Sequence, residues 1–162
     1  MSNVLSHINA QNQPEMVDVS HKTSTLRTAE AEAVLRLPQV LLNTIKGDQM
    51  ISPKGPVFHT AIIAGTQAVK RTHELIPFCH ALPVEGISIS IKPKKDGLMI
   101  RCRVKCVHKT GVEMEALTGA SVAALTIYDM CKSVSHDIVI EQVRLLEKTG
   151  GKSDFYTGEE NA

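Results

Sequence analysis

The sequence predicts an α+β fold in which an antiparallel sheet carries helices on one face. Three segments alternate apolar and polar residues with a period of two, which is typical of half-buried strands. Two segments place apolar residues at helical spacing, and a last apolar segment precedes a polar tail. Their order is strand, helices, strand, strand, helix, strand, which is the β-α-β-β-α-β arrangement of ferredoxin-like folds.

The first predicted strand covers residues 25–37, where strict alternation outweighs a composition rich in Ala and Glu. Its odd-numbered positions from 29 onwards are apolar, whereas the even-numbered ones include two Glu and one Arg. Pro38 suits the first position of a short helix, and Gly47 suits the end of that helix. Residues 48–55 then read as a polar loop.

A second helix is predicted from Pro56 to Leu75, and Pro77 ends it. The segment from Pro77 to Pro83 should be a stiff loop, because a proline stands at each end. Alternation resumes at residues 87–92 and 98–106, on either side of the turn signal KKDG. These two segments predict a β-hairpin with one apolar and one polar face.

The longest helix is predicted within residues 109–132, which read KTGVEMEALTGASVAALTIYDMCK. Thr110 and Glu113 have the spacing of a capping box, so the helix should begin at Gly111. No residue from 116 to 128 is charged, whereas a helix facing water normally carries Lys or Glu. We therefore expect this helix to be covered on both sides, by its own sheet and by a second surface such as another subunit.

Length and composition describe one domain over residues 1–162, with the last strand at 137–146. The polar segment 1–20 lacks the pattern of a signal peptide and no apolar run reaches transmembrane length, so we expect a cytoplasmic protein. Residues 149–162 form a Gly-rich polar tail that should be flexible. The net charge of +1 and the few aromatic residues argue against nucleic-acid and membrane partners.

The cysteines predict free thiols rather than a metal site or a disulfide framework. Their spacing fits no zinc motif, and two of them lie four residues apart on one predicted strand, ~13 Å from each other. We therefore expect no metal ligands and no disulfide among the four: Cys79, Cys102, Cys106 and Cys131.

Ionisable residues near helix ends are the candidates for chemistry, and each also has a structural explanation. Asp129 and Lys132 could act as an acid and a base, or form an ordinary ion pair. Lys54 precedes a helix start and could hold an anion there, or be a solvated loop lysine. His80, in the proline-bounded loop, could donate a proton or simply lie at the surface. Residue type and spacing alone favour the structural explanation for each.

Glu115 and Asp129 occupy opposite ends of the longest predicted helix. Their separation of fourteen residues corresponds to ~21 Å along the helix axis. Either they serve different sites, or two subunits bring opposite helix ends together. The uncharged helix middle favours the second alternative. The tail adds Lys148 and Lys152, which could fold over an anion.

Several stretches together resemble one known family over nearly the whole chain. The chain resembles the bacterial molybdenum cofactor biosynthesis protein C family, the cyclic pyranopterin monophosphate synthases. The stretches that carry the resemblance are HINA, MVDVS, IAGTQAVKRT, LIPFCHAL, KTGVEMEALTGASVAALTIYDMCK and VRLLEKTGGKS.

The resemblance implies a ferredoxin-like fold and a homohexamer, a trimer of dimers, with sites between subunits. The substrate is then cyclised dihydro-GTP, and the products are cyclic pyranopterin monophosphate and pyrophosphate. Such chemistry needs acids, bases and cations, so we expect no required cofactor, with Mg²⁺ possible as a companion of the triphosphate.

The family's functional residues transfer to matching positions of this sequence. Catalytic roles are implied for Asp129, Lys132 and Lys54. Substrate-binding roles are implied for the loop at 78–80, for the start of the longest helix and for three basic residues, with Lys148 taken from the tail: Phe78, Cys79, His80, Met114, Glu115, Glu113, Lys70, Arg27 and Lys148.

Two departures from the family pattern stand out. The loop reads FCHAL where the family usually has LCHPL, and Asp154 stands where the family often has glycine. An alternative function is a non-catalytic ferredoxin-like module that binds nucleotides and regulates a partner. Release of pyrophosphate would distinguish an enzyme from such a module. An RNA-binding domain is disfavoured by the near-neutral charge and the missing sheet aromatics.

Overall fold

The computed structural model describes residue 11 and residues 13–157. The stretch HINA at 7–10 and the end of the tail, 158–162, lie outside the described residues. Eight strands and four helices follow one another along the described part of the chain: β1 (Thr25–Arg36), α1 (Gln39–Leu42), β2 (Ile45–Lys46), β3 (Gln49–Ser52), β4 (Gly55–Pro56), α2 (Val57–Lys70), α3 (Thr72–Leu75), β5 (Gly86–Lys94), β6 (Gly97–His108), α4 (Glu113–Cys131), β7 (Val139–Thr149) and β8 (Phe155–Tyr156).

The main sheet has the strand order β5-β6-β1-β7-β8, and every neighbouring pair is antiparallel. The four long strands therefore stand in the order that a β-α-β-β-α-β chain gives, which confirms the predicted ferredoxin-like fold. The central strand β1 turns Ala29, Ala31 and Ala33 towards the helices, and all three are fully buried. Such small side chains allow a helix to lie close to the sheet.

Helices α2 and α4 lie side by side on the apolar face of the sheet. They meet at two glycines. A Cβ placed on Gly65 would lie 2.8 Å from the Gly119 carbonyl oxygen, and one on Gly119 would lie 2.6 Å from Cys102 Sγ. The helix α2 thus provides part of the second surface expected over the uncharged middle of α4. Leu125 still points outwards with 57% of its surface exposed, so cover by another subunit stays a prediction.

The predicted capping box at the start of α4 is wrong. The helix begins at Glu113 with Val112 as its N-cap, and no side chain caps it. Within the described structure the Thr110 hydroxyl is buried without a hydrogen-bond partner. Arg27 holds the preceding loop instead, because its guanidinium donates to the carbonyl groups of His108 and Lys109. The loop therefore continues for two residues beyond Thr110 before helical hydrogen bonding begins.

The region between β1 and α2 also differs from the prediction. Helix α1 ends at Leu42, and Gly47, with a φ of +57°, makes the turn between β2 and β3 rather than a helix end. The predicted polar loop 48–55 contains β3 and part of β4, which form a three-stranded sheet with β2. The predicted helix from Pro56 to Leu75 breaks at Arg71 into α2 and α3.

The last long strand, β7, begins and ends later than predicted. Its pairing with β1 shifts register twice, between Glu30 and Ala31 and between Val34 and Leu35. Such bulges interrupt the alternation of side chains, so no regular period marks the two ends of this strand in the sequence. Part of the predicted flexible tail forms β8, which pairs with β7 through Phe155.

The cysteines and the lengths of the helices can also be compared with the predictions. All four cysteines are free, as predicted, and Cys79 alone among them is not fully buried. No described helix is long and apolar enough to span a membrane.

Candidate active site

A cleft of about 910 Å³ lies at the N-terminal end of α4. Its walls come from the segment before β1, the start of β1, the loop between α3 and β5, the first turn of α4 and the chain after β7. Eight of the nine substrate-binding residues that the resemblance implies line this cleft: Arg27, Phe78, Cys79, His80, Glu113, Met114, Glu115 and Lys148.

Glu115 is the buried acid of the cleft, with only 4% of its surface exposed. It lies in the first turn of α4, two residues after Glu113. Burial raises the pKa of the Glu115 carboxyl to about 7, and the negative charge of Glu113 adds to the shift. Glu115 can therefore bind or release a proton near neutral pH, which an exposed glutamate cannot do.

The loop after α3 brings an aromatic ring, a thiol and an imidazole to the cleft. The Cys79 N–H donates to the Ile76 carbonyl over 3.1 Å, which closes a tight turn. His80 Nε2 lies 3.0 Å from the Val17 carbonyl oxygen. Because a carbonyl only accepts, Nε2 carries the proton, and Nδ1 is left for a ligand. Burial and the charge of Glu115 raise the pKa of the Cys79 thiol, so Cys79 is a lining group rather than a nucleophile.

Basic side chains surround the opening of the cleft. Arg27 is fixed by its two hydrogen bonds to loop carbonyls, each 3.2 Å long, and Lys148 Nζ lies 4.0 Å from a Glu113 carboxylate oxygen. Lys22 and Lys109 also line the cleft, although neither was predicted as a site residue. Their positions in the sequence could have indicated them, because Lys109 is the first residue of the longest stretch that resembles the family and Lys22 lies two residues after the stretch MVDVS.

A second ionisable cluster lies at the opposite, C-terminal end of α4. Lys54 Nζ donates to Asp129 Oδ2 and to the Asp129 carbonyl, and Lys132 Nζ contacts Asp129 Oδ1, all at 2.8 Å. Hydrogen bonds from Lys132 and Lys54 lower the pKa of Asp129 to about 2, and the Asp129 partner raises the pKa of Lys132. In the isolated chain Asp129 is therefore an anion and Lys132 a cation.

The turn that carries Lys54 explains how it reaches Asp129. The turn between β3 and β4 is closed by Ser52, whose hydroxyl accepts from the Lys54 N–H over 3.1 Å. Gly55 follows with a φ of +113°, a conformation that favours glycine. This turn directs Lys54 towards the end of α4. The contact depends on the short strands β3 and β4, which lie largely in a region predicted to be a loop.

The predicted site residues thus fall into separate places within one chain. The cleft and the Lys54–Asp129–Lys132 cluster are separated by the length of α4, ~21 Å between Glu115 and Asp129. Lys70 belongs to neither group, because it lies exposed in the last turn of α2. Within the described residues, no group of three or more His, Cys, Asp or Glu side chains could hold a metal ion.

Comparisons with known proteins identify the family to which this chain is similar. A family model described as the MoaC family matches residues 16–151. The chain is 53% identical to a cyclic pyranopterin monophosphate synthase of Xanthomonas oryzae pv. oryzae, over 93% of this chain and 92% of that protein. It is 51% identical to a molybdenum cofactor biosynthesis bifunctional protein of Synechocystis, over 93% of this chain and 45% of that protein.

Proposed function

This chain belongs to the MoaC family, and we propose that it converts cyclised dihydro-GTP to cyclic pyranopterin monophosphate, with release of pyrophosphate, in molybdenum cofactor biosynthesis. It is an enzyme, a cyclic pyranopterin monophosphate synthase like its relatives. The observation that carries the detailed proposal is the polarity of the cleft, which has a buried acid inside and basic side chains around its opening.

That polarity matches a substrate with a guanine-derived ring at one end and a triphosphate at the other. The ring would lie against Phe78, His80 and Glu115, which offer an aromatic face, an imidazole nitrogen and a carboxyl group. The triphosphate would lie against Arg27 and Lys148, since guanidinium and ammonium groups bind phosphate oxygens. The cleft volume of about 910 Å³ falls within the range of small-molecule sites.

Glu115 and Asp129, at opposite ends of α4, suit different steps of the reaction. Opening and rebuilding the ring requires proton transfers, and Glu115, with a pKa of about 7, can supply and accept protons. Closing the cyclic diester displaces pyrophosphate and concentrates negative charge on oxygen. Lys54 and Lys132 carry the positive charge that stabilises such a transition state, and Asp129 orients them.

We propose that a second copy of the chain supplies this cluster to the cleft. A single reacting centre cannot touch both ends of α4 in one chain, because they lie ~21 Å apart. The exposed Leu125 and the uncharged outer surface of the α4 middle suit contact with another protomer. In the proposed homohexamer, Lys54, Asp129 and Lys132 of one chain would face the cleft of its partner.

The proposed reaction also suggests a cellular compartment and the cofactors that the enzyme needs. The free thiols suit the reducing cytoplasm, where we place the enzyme. Any Mg²⁺ would enter with the triphosphate as its counterion. We propose no other cofactor, because proton transfer and phosphoryl displacement require none.

Incubation with cyclised dihydro-GTP tests the proposed function. We expect stoichiometric release of pyrophosphate together with the pterin product, identified by mass spectrometry. The control Lys95→Ala removes an exposed lysine from the β5–β6 turn and should keep full activity. Binding of the substrate without release of pyrophosphate would instead identify a non-catalytic regulatory module and would overturn the proposal.

A further inference from the structure

The chain between β7 and β8, residues 150–154, forms a turn beside the cleft; we call it the β7–β8 turn. Gly150, Gly151 and Lys152 of this turn line the cleft together with Lys148. A Cβ placed on Gly151 would lie 3.0 Å from Arg27 Nη1 and 3.8 Å from Lys148 Nζ. The turn therefore lies directly against two cationic side chains and adds a third cation, Lys152.

Several hydrogen bonds hold the β7–β8 turn in place. The Gly150 N–H donates to Asp154 Oδ1 over 3.1 Å, and the Gly150 carbonyl accepts from the Thr25 hydroxyl over 2.8 Å. Beyond β8, the N–H and the hydroxyl of Thr157 both donate to the Leu146 carbonyl. Gly150 has a φ of +85°, and a Cβ there would collide with the Leu26 carbonyl oxygen. The contacts of Gly150 attach the turn to the start of β1, and those of Thr157 attach the chain after β8 to β7.

Asp154 is at first sight badly placed for this surface. A carboxylate near cations that bind a triphosphate repels the ligand and weakens the positive potential. Its bond to the Gly150 N–H offers a different role, since this bond closes the turn on itself. The same residue is one of the two departures from the family pattern found in the sequence.

We propose that Asp154 is a positioning residue for the polyphosphate arm of the substrate. By accepting from the Gly150 N–H it closes the β7–β8 turn, which holds Gly151 against Arg27 and Lys148 and keeps Lys152 on the wall of the cleft. The three cations then form one basic surface beside the acidic part of the cleft. This inference rests on the proposed function, because it names the part of the same site that binds phosphate.

Two substitutions of Asp154 separate positioning from charge. Asp154→Ala removes the acceptor and should raise the KM for cyclised dihydro-GTP about tenfold while kcat changes less than about twofold. Asp154→Asn keeps an acceptor oxygen without the negative charge and should keep KM within about twofold of the wild type. Equal KM values for Asp154→Ala and Asp154→Asn, whether raised, lowered or unchanged, would overturn the inference.

Lys152 provides the second arm of the test. Lys152→Ala should also raise KM about tenfold. The double variant with Asp154→Ala should have a KM close to that of either single variant, because both changes remove the same contact. Fully additive effects on KM would contradict a positioning role. The conservative variant Asp154→Asn also serves as the folding control for Asp154→Ala.

Two measurements without catalysis distinguish failure of this inference from failure of the proposed function. Hydrogen exchange at the Gly150 amide should become faster in Asp154→Ala and stay slow in Asp154→Asn. Tripolyphosphate, used as a probe, should bind more weakly to Asp154→Ala and to Lys152→Ala than to the wild type. If the wild type forms no product, the proposed function fails while these two results still decide the role of Asp154. Unchanged exchange and binding would overturn it.

Discussion

The two ends of α4 each present a carboxylate, and their surroundings shift the two pKa values in opposite directions. Glu115, in the first turn, is 4% exposed and its pKa rises to about 7. Asp129, in the last turn, has 56% of its side chain exposed and lies between two lysines, and its pKa falls to about 2. The helix dipole alone would lower the pKa of Glu115 and raise that of Asp129.

Desolvation outweighs the dipole at one end of the helix, and hydrogen bonds from two lysines outweigh it at the other. Glu115 thereby becomes a group that exchanges protons near neutral pH. Asp129 becomes a permanent anion that holds two cations in place. We therefore propose proton transfer at the buried end and charge stabilisation at the exposed end.

The largest expected effect comes from removing a cation at the exposed end. Lys132→Ala should lower kcat/KM at least about 100-fold, because the charge developing on phosphate oxygens loses its partner. Native mass spectrometry should show an unchanged assembly, and Lys95→Ala is the matched surface-lysine control. Activity of Lys132→Ala within about twofold of the wild type would refute the assignment of the C-terminal end.

A pH-dependent effect on stability is expected at the buried end. The Glu115 carboxyl keeps its proton up to about pH 7 in the folded chain but loses it near pH 4.5 when unfolded. Between these two pH values the folded state therefore binds more protons than the unfolded state. The resulting stabilisation of the fold is complete below pH 4.5 and is lost as the pH rises through 7. The loss amounts to about 3 kcal/mol across that window.

Glu115→Gln should abolish this dependence of the free energy of unfolding on pH. The free energy is measured with urea at several pH values and at one protein concentration. Glu113→Gln removes the partly exposed acid of the same helical turn and should leave this dependence in place. If the free energy of unfolding of Glu115→Gln still depends on pH in this window, another group titrates there, and the raised pKa of Glu115 would be contradicted.

A smaller effect is expected in the middle of α4, between the two ends. Gly119→Ala would place a Cβ 2.6 Å from both Cys102 Sγ and Val69 Cγ2, so the free energy of unfolding should fall. Overpacking of this kind costs about 1–3 kcal/mol. Thr126→Ala, on the partly exposed side of the same helix, should change it by less than about 0.5 kcal/mol. Equal stability of the two variants would contradict the close contact between α2 and α4.

The smallest change in stability is expected for Asp129→Asn. The three side chains of its cluster are all well exposed, so solvent screens their attraction. The lowered pKa of Asp129 stabilises the fold above about pH 4, and that stabilisation is lost only as pH falls towards 2. Urea unfolding of Asp129→Asn at neutral pH should match that of Lys95→Ala. A large loss of stability would mean that the cluster is structural.

Local periodicity predicted the long elements of the fold. The alternation in β1, β5 and β6 and the helical stripe of α4 repeat over many residues, so the pattern outweighs composition. The short strands β2, β3 and β4 were missed because a few residues cannot establish a period. The start of α4 was misplaced because Arg27, distant in sequence, holds the preceding loop open.

The types of the site residues could be predicted, but their grouping could not. Charged residues at the ends of an uncharged helix identified Glu115 and Asp129 as candidates. The burial of Glu115 depends on chain segments far apart in sequence, so no local pattern reports it. The contact of Lys54 with Asp129 depends on a turn in the small sheet, which was predicted as a loop.

Complementation between two inactive variants tests most directly whether the opposite ends of α4 from different chains form one active site. Lys132→Ala alters only the exposed end, and His80→Ala alters only the cleft. Mixed assemblies, formed by joint refolding and verified by native mass spectrometry, should recover about a quarter of wild-type activity, because that fraction of shared sites has both halves intact. Mixed assemblies that stay as inactive as the separate variants would show that the two ends of α4 do not meet between chains.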